Sequence, residues 1–365
     1  MNGRVRAAAR VRAQRTATIA VTGAAGELGR RVAGRLLDSE DCGKVIGIDT
    51  SRGDLDGVTW RRADVRDPAL RTKLAGIDTV VHLATDRRPD APTVERRTVN
   101  VRGTETLLTA AAAAGVTRVV LLTSAMVYGA DAANPVPLPD NAPLRADPDL
   151  SLIGDWVEME RLAVVAGRGA QPLIVVPVRP APVVGADTDA LLTRLFEAPR
   201  LLAIRGTTPR WQFCHVDDLV EALVWAAQGK VADPVTVASP GWLGQDEVER
   251  ITGLRTIVVP AAMAFGTAER LYRVGVLSAP GSELRYLAHP WVVGADRLIA
   301  AGWAARWDNE SALRTHVEGL GDRAGRGLPR LPGGDATRAA AGATVAVVGA
   351  VAIARARAAR RRRRG

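Results

Sequence analysis

The chain has 365 residues, 47% of them hydrophobic, with a formal net charge of +10. That length supports one large or two modest domains with an ample core. Two cysteines, Cys42 and Cys214, and four scattered histidines fit a reducing compartment and argue against a disulfide framework or a zinc site.

The charge sits at the ends. Residues 1–15 hold five arginines and no acid, and residues 355–365 hold seven and no acid. Without those twelve the body carries 37 basic against 39 acidic residues, so it is close to neutral. Basic ends attract phosphates on membranes or nucleic acid without sequence preference, and a solvated disordered tail is equally open. Lysine occurs three times against 46 arginines, which fits GC-rich bacterial coding. No apolar stretch precedes the first strand pattern, so no secretory signal is expected.

The elements begin with Thr16 to Arg35, TATIAVTGAAGELGRRVAGR. Thr18 to Thr22 reads as a strand, Gly23, Gly26 and Gly29 as a tight turn, and the rest as an amphipathic helix. Gly23 permits the turn, Gly26 clears the backbone for phosphates, and Gly29 lets the helix pack close to the sheet. Free N–H groups at the helix start offer an anion site. A glycine turn alone is weak, but its place between strand and helix strengthens it. Lys44 to Asp49 follows as a strand ending in an acid, then Val58 to Ala63 as a short strand before Asp64. A short helix over 67–74, a strand over 79–84 and a long helix over 92–114 closed by Gly115 come next. A strand over 118–123, a Pro-rich loop over 134–148, a helix over 151–167 and a strand over 173–178 complete the alternation. Repeated β–α units with continuous apolar strands give an α/β fold, a doubly wound parallel sheet covered on both faces.

After Arg179 the alternation loosens. Helices are expected over 188–197, 216–228, 262–274, 295–301 and 309–319, between short strands. The domain reading is therefore an N-terminal arm (1–15), a dinucleotide-binding domain (16–180), and a smaller C-terminal substrate domain (181–320) partly interleaved with it. A linker (321–338) and an apolar helix with an Arg-rich tail (339–365) follow. Asp49 lies 20 residues beyond Gly29, at a strand tip, where a carboxylate accepts from adenosine ribose hydroxyls and repels a 2′-phosphate. This favours NAD over NADP, although Arg52 nearby blurs the distinction. An ordinary strand-end turn residue remains the alternative for Asp49.

The ordered set TGAAGELG (22–29), ADVRD (63–67), VVHLAT (80–85), NVRGT (100–104), TSAMVYG (123–129), VRP (178–180), FCHVDDL (213–219) and AGWAARWDNESALR (301–314) covers about 300 residues. It resembles the extended short-chain dehydrogenase/reductases of the NAD-dependent epimerase/dehydratase family. The resemblance implies a Rossmann sheet in which Gly23, Gly26, Glu27, Leu28 and Gly29 line the pyrophosphate. Asp64 would face the adenine amino group with Val65 beside the ring. Leu83, Ala84 and Thr85 would border the nicotinamide-side ribose, Asn100 would support the site, and Ser124 would meet the substrate's reacting oxygen. His82 reads as a buried strand histidine without chemistry.

The family's proton acceptor is a tyrosine with a lysine four residues on, whose charge lowers the phenol pKa. Aligning Glu160 with the family's helix glutamate puts Leu152 at the tyrosine and Trp156 at the lysine. No tyrosine or lysine occurs from 130 to 171. Leucine and tryptophan exchange no proton, so standard hydride chemistry is expected to be weak or absent. The alternative is an active oxidoreductase or epimerase using Ser124 and a non-standard base, with Asp155 nominated beside Glu158. The competing reading makes both acids the polar face of an amphipathic helix. Pro182 stands where nucleotide-sugar enzymes of the family often have asparagine. Trp211 stands where they have a diphosphate-binding arginine, with Arg210 one step away. A nucleotide sugar is thereby disfavoured unless Arg210 substitutes, Trp156 and Trp211 suggest a more apolar substrate side, and the identity of the small-molecule ligand stays open.

Ala339 to Ala354 is 16 residues without a charge. A helix of that length is shorter than the ~30 Å hydrocarbon core. The expectation is a cytoplasmic protein whose tail lies on the anionic inner membrane face, with a C-terminal anchor or a disordered tail as alternatives. Specific nucleic-acid binding is not expected, because the tail lacks interleaved aromatics. The helices over 92–114 and 151–167 are where the family commonly forms a homodimer.

Overall fold

The computed structural model describes residues 16–88, 91–169, 173–185, 195–196, 200–273 and 281–325. Strand β1 (Ala17–Thr22) leads through the glycine turn into α1 (Glu27–Leu37). Gly29, Val32, Ala33 and Leu36 are its buried residues, the spacing of one helical face. Strands β2 (Cys42–Asp49) and β3 (Thr59–Arg62) follow, then a short α2 (Leu70–Lys73) and β4 (Thr79–His82). The helix expected from Asp67 starts later because the Asp67 carboxylate accepts from the Ala69 N–H at 2.8 Å, holding a turn ahead of it.

The long helix expected over 92–114 is three contiguous pieces: α3 (Thr93–Arg97), a wide π turn (Thr98–Arg102) and α4 (Gly103–Ala114). The wide turn carries Asn100, which is buried. Gly115 at φ +79 ends α4 in the left-handed conformation that a helix C-terminus favours in glycine. Strand β5 (Arg118–Leu122) leads into a 3₁₀ turn (Ala125–Tyr128), and α5 (Leu152–Gly167) into β6 (Ile174–Pro180). Ser151 caps α5 by accepting from the Gly154 N–H at 3.1 Å.

The C-terminal half contributes β7 (Val183–Val184), β8 (Leu201–Ile204), β9 (Cys214–His215), α6 (Val216–Ala227) and β10 (Val235–Val237). It continues through α7 (Gln245–Thr252), β11 (Thr256–Val259), α8 (Ala261–Arg273), a 3₁₀ segment (Gly281–Leu287), α9 (Asp296–Ala300) and α10 (Asn309–Gly325). Helix α7 has no counterpart among the expected helices. Glu247 closes its start by accepting from the Gly244 N–H at 2.7 Å. The linker expected from Gly321 begins inside α10. Its remainder, the N-terminal arm, most of the helix expected over 188–197 and the tail over 339–365 lie outside the described residues. Among the described residues no helix is long and apolar enough to cross a membrane.

Seven strands form one parallel sheet in the order β10-β6-β5-β4-β1-β2-β3. Side chains alternate between its faces. Ile19, Val21, Val45, Val81 and Val120 join one core cluster, while Ala20, Ile46, Val80 and Val119 join another. A third cluster around Phe196, Phe213, Leu243 and Val248 fills the C-terminal layer. Strand order reverses between β1 and β4, where Thr22 lies in register with Ile48 on one side and His82 on the other. That switch point opens a crevice beyond the carboxyl ends of the strands.

Candidate dinucleotide and substrate site

The crevice begins with the glycine turn. Gly23 has φ +70, and a Cβ there would lie 2.9 Å from the backbone nitrogen of Ala84. A Cβ on Gly29 would collide with the Gly23 carbonyl oxygen and stand 2.8 Å from the Ala24 Cα. Only hydrogens fit at both positions, so α1 begins close against the β1 and β4 ends with its first N–H groups facing outward. Gly26 is the N-cap, and Leu28 packs partly buried on the core. Glu27 is turned to Arg30 and Arg31, at 2.8 and 2.9 Å. Burial acts to raise its pKa, but those two guanidiniums outweigh it and hold it low.

Asp49 ends β2 with Oδ2 accepting from the Ala25 N–H at 3.0 Å. The carboxylate is thereby fixed against the glycine turn at the ribose end. Asp64 is bound by Arg66, whose Nε lies 2.9 Å from Oδ1, and this partner lowers its pKa. An adenine amino group would therefore share Asp64 with a guanidinium. Val65 is buried beneath it against Gly103 of α4. At the end of β4 the Leu83 and Ala84 N–H groups both donate to Thr22 Oγ1, at 3.2 and 3.3 Å. The Thr85 N–H closes a tight turn on the Leu83 carbonyl at 2.8 Å. His82 is enclosed between Thr22 Oγ1 at 2.8 Å and Thr104 Oγ1 at 3.3 Å. Burial takes its pKa down to about 4, so the ring is neutral.

The substrate side is built on β5 and α5. Ser124 follows β5, its Oγ accepting from the Met126 N–H at 3.2 Å. Leu152 and Trp156 are only 3% and 4% exposed and pack in the main core cluster with Met126. Tyr128, the phenol nearest Ser124 in sequence, donates to the Asp140 carbonyl at 2.9 Å and accepts from Arg179 at 2.7 Å. Burial pushes it up to about 12. Arg179 also grips Glu160, which accepts from Thr123 Oγ1 at 2.8 Å. Burial works against the Arg179 charge, but Glu160 outweighs it and raises the guanidinium pKa. Tyr128 is thus part of a buried brace and no base.

Asp155 does not stand as a free carboxylate. It is buried, and receives Arg96 Nε at 2.8 Å, Arg97 at 3.0 Å and Asn100 Nδ2 at 3.2 Å. Asn100 closes the loop after β4 as well, accepting from the Asp86 N–H at 2.7 Å and donating to its carbonyl at 2.9 Å. A carboxylate saturated by two guanidiniums is a poor proton acceptor, so this geometry speaks against the nominated base. Glu158 points to the surface and pairs with Arg161 at 2.7 Å.

A family model described as the NAD dependent epimerase/dehydratase family matches residues 19–238. The chain belongs to that family. An uncharacterized protein of Mycobacterium tuberculosis is 26% identical over 317 residues, covering 83% of this chain and 84% of the relative. A 4-hydroxy-2-methyl-3-oxo-4-farnesyl-3,4-dihydroquinoline-1-oxide ketoreductase of Stigmatella aurantiaca is 30% identical over 162 residues, 44% of this chain and 48% of that protein. Among solved structures, MoeE5 in complex with UDP-glucuronic acid and NAD superposes with a TM-score of 0.61 at 24% identity. It spans 84% of this chain and 99% of its own.

Within this epimerase/dehydratase chain the C-terminal half adds what local reading missed. Trp211 is buried and donates to Gln245 Oε1 at 2.9 Å, while Arg210 lies over the Trp242 ring at 4.9 Å. The 3₁₀ segment over Gly281–Leu287 reaches the 3₁₀ turn after β5: the Tyr286 hydroxyl donates to the Met126 carbonyl at 2.7 Å. One turn earlier on the same segment stands Glu283, half-buried. Burial first, then the Asp149 charge, push its carboxyl up to about 8, with Arg96 opposing. Its only sequence signal is an acid in an apolar stretch.

Proposed function

We propose that this epimerase/dehydratase-family protein binds NAD across the β1–β4 switch point and lacks the tyrosine–lysine relay of its relatives. What supports it is a contrast. The glycine cradle admits no Cβ at Gly23 or Gly29, while Leu152 and Trp156, which the sequence alignment assigns to the relay positions, are buried core. Gly23, Gly26 and Gly29 would hold the pyrophosphate, and Asp49 the adenosine ribose, which favours NAD over NADP. Leu83, Ala84 and Thr85 border the far ribose and Ser124 orients the substrate oxygen. A bound nicotinamide supplies hydride chemistry, whereas a leucine and an indole offer no proton at neutral pH. Hydride chemistry of the standard kind is therefore weak or missing.

NADH fluorescence titration of the full chain tests the cofactor reading. Saturable quenching or enhancement, lost in Gly29→Ala, is the expected result, and no saturable binding overturns it. Testing Leu152→Tyr/Trp156→Lys against the wild type over a panel of sugar and apolar carbonyl compounds tests the missing relay. Equal turnover in the two proteins would show that the native site needs no relay at positions 152 and 156. The ligand favoured is an apolar oxo or hydroxy compound, since Pro182 and Trp211 offer a diphosphate no charged or donor side chain, Trp211 being spent on Gln245. Attachment of the tail over 339–354 to an anionic membrane surface remains a proposal from sequence.

A further inference from the structure

One carboxyl of the C-terminal half, Glu283, is not used by the cofactor cradle and forms no ion pair with any described residue. A 3₁₀ turn repeats every three residues, so positions three apart stand one above the other. Glu283 and Tyr286 therefore share a side of the Gly281–Leu287 segment. The Tyr286 end of that side meets the 3₁₀ turn after β5, where the Tyr286 hydroxyl is 2.7 Å from the carbonyl of Met126, two residues beyond Ser124. The charges acting on Glu283 come from the opposite wall, from Asp149 and Arg96. Arg96 itself donates to the Leu150 carbonyl, so both charges mark the entrance of α5, where Leu152 begins the first turn. Glu283 is thus enclosed by the loop after Ser124, the start of α5 and α3.

We propose that Glu283 is the general acid and base of this site, delivered from the C-terminal half to stand in for the proton-carrying residue absent at position 152. This rests on the cofactor reading above. Three features support the assignment. Glu283 makes no hydrogen bond with any described residue that would hold its proton, whereas Asp155 and Glu160 are both clamped by arginines. The residue as a whole is half-buried, so it sits at the margin of the packed segment rather than deep in a core cluster. Desolvation and Asp149 together outweigh Arg96, so the carboxyl keeps a proton near neutral pH and titrates close to the working range of an acid–base catalyst. The other charged groups near the segment are Arg285 and Asp147, paired with each other at 3.7 Å, Tyr286, whose own pKa burial raises, and Glu269 of α8, whose carboxylate accepts from the Gly281 N–H at 3.2 Å.

The transfer is simple to balance. In the reducing direction the Glu283 O–H bond breaks and an O–H bond forms on the substrate's carbonyl oxygen, which Ser124 holds. A reduced nicotinamide held at the glycine cradle would supply the hydride for the new C–H bond on the carbonyl carbon, being oxidised in turn, and the Glu283 carboxylate would regain its proton from water. In the oxidising direction each transfer reverses.

The test uses the full chain and two readouts. Infrared difference spectra from about pH 5 to about pH 10 should show a protonated-carboxyl stretch lost with a midpoint near 8, absent in Glu283→Gln. Turnover of NADH with the carbonyl panel should fall about 10²–10⁴-fold in Glu283→Gln, with NADH affinity unchanged. The wild-type limb that falls as pH rises through about 8 should vanish in the variant. If Glu283→Gln does not fold, Glu283→Asp should keep both the band and the limb, displaced in pH. A midpoint in the ordinary carboxylate range, turnover surviving in Glu283→Gln, or no wild-type turnover on the panel overturns the assignment while NADH binding stands. Loss of NADH binding by the wild type overturns the cofactor reading and this one with it.

Discussion

Asp155→Asn asks how the floor of the site is held. The carboxylate is fully buried, and its strongest partner, Arg96, is 3% exposed. Among the described residues the Arg96 guanidinium otherwise donates only to the Leu150 carbonyl. The amide would leave a buried guanidinium without a hydrogen-bonded counter-charge. Breaking one side of such a pair costs about 3–5 kcal/mol, because the surviving charge keeps its desolvation penalty. Arg97 is 30% exposed, so solvent screens its share and the low end applies, about 3 kcal/mol. With about 2.1 cal/mol/K of unfolding entropy per residue, each kcal/mol moves the melting temperature of a chain this size by about 1–2 °C, giving a fall of roughly 3–6 °C. Thermal melts followed by circular dichroism, with urea denaturation beside them, read this directly. A loss below about 1 kcal/mol at unchanged urea slope would refute the clamp and return Asp155 to the list of proton carriers.

Three further expectations follow from the same geometry. Gly29→Ala forces a Cβ into the Gly23 carbonyl, so NADH affinity should drop at least about tenfold, or ~1.4 kcal/mol; unchanged affinity would mean the turn is not the cradle. His82 is neutral in the fold, with its pKa depressed from 6.5 to about 4, so the unfolded chain takes up the proton first as pH falls. Its contribution is complete above pH 6.5, is lost as pH drops towards about 4 and is then flat; it amounts to about 3 kcal/mol. His82→Gln should flatten that slope in urea titrations, and an unaltered slope would assign it elsewhere. Val94, Val164 and Val165 are 78%, 53% and 55% exposed on α3 and α5. Light scattering should give twice the 38.5 kDa chain mass, and Val164→Glu/Val165→Glu should return a monomer; a wild-type monomer counts against the pairing.

What could be read in advance was local. The β1–turn–α1 unit shows itself because strand period, glycine spacing and helix period lie within twenty consecutive residues. The Gly115 stop is equally visible as a single-residue signal. The clamps were not, because their partners are far apart: Arg96 and Asp155 are separated by 59 positions, Tyr286 and Met126 by 160. Asp155 therefore looked available as a base when it is spoken for, and Glu283 looked like one acid among many. Asp64 is the opposite case, since its partner Arg66 is only two residues along and the ADVRD motif gives no hint that the pair closes. Helix α7 escaped because eight mostly polar residues give too short a period to distinguish from a loop.

The last strand of the large sheet has a consequence for how the chain is made. Strand β10 pairs with β6, Thr236 opposite Arg179, and Asp140 receives both the Thr236 N–H and its hydroxyl. A ribosome reaches Val235 only after the rest of the sheet has emerged, several seconds later at about 5–20 residues per second. Throughout that interval β6 presents unpaired amides and carbonyls to the crowded surroundings of the exit tunnel, and Asp140 waits for its donors. The nascent chain is most in need of a chaperone there, between the synthesis of Pro180 and that of Val237.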